Sequence, residues 1–111
     1  MTEGDIVLIH LPQTNGTSKL RPALLLKQLP KYNDYLACGI SSQLHQYLRN
    51  IDEILDITDI NFPKTGLRSP SVIRLLFIAV IPTNQITGTI RKISPSLHKQ
   101  LLRRLSNFLI S

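Results

Sequence analysis

The chain holds a single cysteine, Cys38, in 111 residues, and only 7 acidic side chains against 13 lysines and arginines. A lone cysteine makes no internal disulfide and supplies no thiolate cluster for a structural metal, and it suits a reducing compartment. Lying within the apolar run from Tyr35 to Ile40, it reads as a small core residue rather than a nucleophile. Long hydrophobic runs are missing as well. The apolar stretches are of strand length, well short of the roughly 20 residues that span a bilayer. Thr2-Glu3-Gly4-Asp5 stands where a secretion signal would carry positive charge and a long apolar segment, so a cytoplasmic location without a membrane partner is expected. The Walker loop, the G-x-G-x-x-G fingerprint, H-E-x-x-H and the serine nucleophile elbow are all absent.

What is present suffices for one hydrophobic core. Hydrophobic residues make up 42% of the chain, a fraction that lets a chain of this length fold as a single domain over 1–111 without a covalent staple. The net charge of +6 and the pI near 9.9 favour a polyanionic partner, nucleic acid foremost. Acidic residues gather at Asp52, Glu53, Asp56 and Asp59, a cluster that reads as a solvated face rather than an Mg²⁺ site.

Short strands separated by turn formers dominate the pattern. Strands are predicted over Asp5–Leu11, Ala23–Lys27, Tyr35–Ser42 and Ser71–Ile81, with a further short one around Ile86–Ile90. Pro12–Lys19, Pro30–Asn33 and Phe62–Pro70 read as loops, and Gln43–Asn61 as an irregular excursion containing a short strand. Ser94 followed by Pro95 marks a helix start. Leu97, Leu101, Leu102, Leu105, Phe108 and Leu109 then recur at helical spacing, with Lys99, Arg103 and Arg104 opposite. The expected fold is a small barrel of five to seven short strands, mainly β, closed by an amphipathic C-terminal helix.

Three features carry chemistry. Arg21 stands where a loop meets a buried strand, which fixes its base and leaves its guanidinium fork to solvent. Ser41-Ser42 ends the third strand with paired hydroxyls. Arg74 interrupts the apolar strand Ser71-Val-Ile-Arg-Leu75, a position that requires a partner or an aqueous pocket. Among the histidines, His10 ends the first strand and is a candidate acid or base, His45 lies in the excursion, and His98 falls on the solvated side of the helix.

The order Gly4-Asp5-Ile6-Val7, Arg21-Pro22-Ala23-Leu24-Leu25-Leu26, Ile40-Ser41-Ser42, Thr65-Gly66-Leu67, Ser71-Val72-Ile73-Arg74 and Leu102-Arg103-Arg104-Leu105 resembles the MazF/PemK (Kid) family of toxins of type II toxin–antitoxin systems. The resemblance runs from Gly4 to about Leu109. It implies an SH3-like β-barrel that forms a homodimer and an endoribonuclease that cuts single-stranded RNA, often mRNA, at short sequences. It further implies inhibition by an acidic antitoxin, with contact to DNA only through the antitoxin complex.

The family's two arginines and its hydroxyl pair fall on Arg21, Arg74, Ser41 and Ser42. Arg21, Ser41 and Arg74 are expected as the catalytic set and Ser42, His10, Lys19 and Gln43 as substrate contacts, with no cofactor or metal. One branch of the family carries an aspartate two residues beyond the later arginine, and this chain has Leu76 there. The acid–base pair is therefore unassigned. The alternative is a non-catalytic module that grips RNA or an antitoxin on the same barrel.

Overall fold

A computed structural model describes residues 1–12 and 15–111. Among the described residues six strands form one antiparallel sheet: β1 (Asp5–Pro12), β2 (Ser18–Gln28), β3 (Asp34–Ser41), β4 (Glu53–Leu55), β5 (Ser71–Pro82) and β6 (Ile86–Lys92). Their spatial order is β4-β5-β3-β2-β1-β6. The two end strands do not pair with each other among the described residues, so the expected barrel is an open one. A helix, α1 (Pro95–Ile110), follows. No described helix is long and apolar enough to cross a membrane.

β2 is longer than the sequence suggests. Lys19, Leu20 and Arg21 belong to the strand, because the β1–β2 ladder continues outward through Ile9↔Arg21, His10↔Leu20 and Leu11↔Lys19. The rest of the expected Pro12–Lys19 loop lies partly outside the described residues. The Pro30–Asn33 turn forms as expected, with Lys31 and Asn33 both at positive φ. The Gln43–Asn61 excursion contains a short 3₁₀ turn and the three-residue β4.

The core lies on both faces of the sheet, which is why Ala23 to Leu26 are buried without alternation. Ile6, Leu24, Leu26, Ile40, Ile73 and Leu75 meet Leu101 and Leu105 of α1 on one side. Val7, Ile9, Ala23, Leu25, Tyr35, Ala37 and Ile81 form a smaller cluster on the other. Cys38 is buried, and burial first, then the Asp52 carboxylate, push its thiol up from 9.0 to about 12.

The helix begins as predicted: the Ser94 hydroxyl accepts from the Leu97 amide at 3.1 Å, and Pro95 opens the first turn. Its apolar stripe is shorter than the periodicity indicates. Leu101 and Leu105 are buried, whereas Phe108 and Leu109 are exposed, because the helix packs on the core cluster only as far as Leu105. His98 is not solvated: its Nε2 lies 2.7 Å from the Leu26 carbonyl and its ring packs near Gly4.

The acidic cluster is not one solvated face either. Asp52 is buried, and Glu53 pairs with Arg104 of α1 at 2.8 Å. The Arg104 guanidinium also donates to the Asp52 carbonyl at 3.3 Å, tying the helix to the excursion.

Candidate active site

Strand register alone brings the key residues to one face. Side chains two apart on a strand share a face, and so do directly opposed residues. Arg21 shares a face with Ala23, Ala23 opposes Gly39, and Gly39 opposes Arg74. Ser41 lies two residues beyond Gly39 on the same side. Three strands adjacent in space therefore present two guanidiniums and a hydroxyl together.

These residues line a solvent-open cavity of about 370 Å³. Arg21, Ser41, Ser42, Gln43 and Arg74 form part of its wall, joined by Gln46, Arg68, Ser69 and Phe77. The Ser41 hydroxyl accepts from the Gln43 amide at 3.0 Å, which leaves its O–H hydrogen able to donate into the cavity. Gln46 buries its Oε1 without a hydrogen-bond partner. Among the described residues that line it none is a histidine or a carboxylate and three are arginines, a lining whose charge suits an anion. A larger cavity, of about 460 Å³, is lined by Asp5, Lys64, Arg91, Lys92 and Pro95 among others and shares no residue with this one.

Arg74 owes its place to a bulge. The β3–β5 ladder jumps from Cys38↔Ile78 to Gly39↔Arg74, which takes Leu75, Leu76 and Phe77 out of the pairing. The Leu75 amide, deprived of a ladder partner, donates instead to Asp52 Oδ1 at 2.9 Å. The other oxygen, Asp52 Oδ2, accepts from the Leu48 amide at 2.9 Å. One buried carboxylate thus fixes both the bulge and the excursion that carries Gln46.

Residues 2–109 match the model of the PemK-like, MazF-like toxin of type II toxin–antitoxin systems. The chain belongs to this toxin family. The Mycobacterium tuberculosis toxin MazF-mt6 has the same fold, with a TM-score of 0.68 at 20% identity over 93% of each chain. No curated protein sequence matches the chain.

Of the seven residues singled out from the toxin's sequence, the cavity gathers five. Lys19 and His10 are exposed and do not line it. Lys19 lies on Arg21's side of the hairpin, further toward its tip, whereas His10 opposes Leu20 and so belongs to the other face. Sequence reasoning missed Arg68, Gln46 and Phe77. Arg68 carried a signal, since a basic side chain directly after the Thr65-Gly66-Leu67 motif sits in an exposed turn. Phe77 carried none, because within an apolar strand nothing distinguishes a residue that a bulge will turn outward. Leu76, where one branch of the family has an aspartate, is half-buried and lines a small recess with Leu48, Asp52, Arg74 and Phe77.

Proposed function

We propose that this toxin is a metal-independent endoribonuclease that cuts single-stranded RNA, mRNA included, at short sequences. The observation that carries the reading is the convergence of Arg21 and Arg74 with Ser41 and Ser42 on one open cavity. In the proposed reaction a ribose 2′-oxygen attacks the neighbouring phosphorus as its proton leaves. The bond from phosphorus to the 5′-oxygen breaks, and that oxygen takes up a proton. The products are a 2′,3′-cyclic phosphate and a 5′-hydroxyl. Negative charge gathers on the non-bridging oxygens at the transition state, where Arg21 and Arg74 stabilise it and Ser41 donates a hydrogen bond. Ser42 and Gln43 hold the flanking nucleotide, and Lys19 extends the cationic track toward the hairpin tip. His10 stays outside the reacting set.

The chain acts in this reading as one domain, as a homodimer in the cytoplasm, silenced by an acidic antitoxin. The exposed apolar side chains of Phe108, Leu109 and Ile110 support a further protein contact. A second reading, RNA or antitoxin binding without cleavage, is favoured by one observation: among the described residues no carboxylate or imidazole lines the cavity to move the protons.

Purified protein incubated with a long unstructured RNA in EDTA separates the two. Cleavage with cyclic-phosphate ends that falls by about 10²-fold or more in Arg21→Ala and in Arg74→Ala is expected. Tight binding with intact RNA would transfer the conclusion to the second reading.

A further inference from the structure

Phe77 is a large apolar side chain left 54% exposed in the wall of the cavity. Burial does not account for its position, but its two contacts do. The guanidinium carbon of Arg74 lies 4.7 Å from its ring centroid, within the range of a cation–π attraction. Its ring edge also occupies the space a side chain would take at Gly39, where an added Cβ would stand 2.7 Å from Phe77 Cδ2. No residue other than glycine leaves that seat open. The bulge held by Asp52 turns Phe77 out of the ladder so that it can lie there.

We propose that Phe77, seated on Gly39, is a positioning residue that holds the Arg74 guanidinium in its productive direction. An arginine in an open groove has several rotamers to choose from. A ring against one face removes part of that freedom before substrate arrives, and it does so without a carboxylate that would cancel the charge needed by the phosphate. The proposal rests on the nuclease reading for its consequence in catalysis. The positioning itself is independent of that reading.

Two measurements test it. In NMR spectra the Arg74 side-chain resonances are expected to be displaced by the ring current of Phe77, to return to ordinary values in Phe77→Leu, and to persist in Phe77→Tyr. Gly39→Ala, which keeps Phe77 but takes its seat, is expected to reduce the displacement.

In RNA cleavage Phe77→Leu is expected to lower kcat about tenfold with KM changed less than twofold, while Phe77→Tyr retains activity. The pair Arg74→Ala/Phe77→Leu is expected to be no worse than Arg74→Ala alone. Arg74 resonances indifferent to Phe77→Leu would overturn the proposal. So would a rise in KM at constant kcat, or losses that multiply in the double variant, since either makes Phe77 a direct contact for RNA. If the protein cuts no RNA while the resonances move as described, the nuclease reading falls and the positioning stands.

Discussion

Single side chains in this toxin do work that their residue type conceals. Asp52 is a buried carboxylate whose two oxygens satisfy two backbone amides, Leu48 and Leu75, and it is not a surface charge. Removing it strands both donors, and each buried unsatisfied group costs about 1–3 kcal/mol. Asp52→Ala is therefore expected to lower the unfolding free energy in urea by about 3 kcal/mol, and Asp52→Asn, which keeps one acceptor, by roughly half as much. A loss below about 0.5 kcal/mol would show that the amides find other partners.

The same carboxylate bears on Cys38, whose thiol is raised from 9.0 to about 12 by burial and then by Asp52. The folded chain holds this proton more tightly than the unfolded one. Its contribution to stability is complete below pH 9 and fades as pH rises toward 12. Subtracting the stability profile of Cys38→Ala from that of the wild type between pH 8 and 11 should reveal this decline. A flat difference would mean that the thiolate is tolerated in the fold.

At the scale of elements, the helix shows which parts of the architecture local chemistry can announce. Ser94-Pro95 and the leucine spacing place the start of α1, and the cap is formed as read. Ser94→Ala is expected to lower stability by about 1 kcal/mol. Truncation before Ser94 uncovers the face that Leu101 and Leu105 cover, and it should yield an unfolded or aggregating chain by circular dichroism and light scattering. A soluble, folded truncation would count against the helix as part of the core.

The strands were legible for the same reason, since short apolar runs bounded by turn formers are a local signal that does not depend on neighbours. Where the reading stopped, long-range pairing had taken over. Lys19 to Arg21 are strand only because β1 offers them a ladder. Leu75 to Phe77 leave the ladder only because Asp52, 23 residues away, accepts the freed amide. Arg21, Ser41, Ser42 and Arg74 were legible through the family's motif order, and Arg68 stands directly after one of those motifs, whereas Gln46 and Phe77 entered the cavity through tertiary geometry that no local motif encodes.

Across the whole molecule, the charge of +6 is not enough to say where a polyanion binds. Lys64, Arg91 and Lys92 flank a different cavity, and Lys99 is exposed on α1. The three arginines of the candidate site, Arg21, Arg68 and Arg74, differ from these in lining one shared groove. The two possibilities, a built groove and a diffuse basic surface, separate in their response to salt. Each phosphate neutralised on single-stranded nucleic acid adds about −0.7 to the slope of log K against log salt concentration. Three arginines acting in the groove give a slope of about −2 for a short RNA. Arg68→Ala should then bring the slope down by about 0.7, and Lys99→Ala should leave it unchanged. Binding measured by fluorescence anisotropy across a salt series gives both numbers. A much steeper slope, reduced as much by Lys99→Ala as by Arg68→Ala, would mean that the RNA is held by the basic surface at large and that the groove confers no preference.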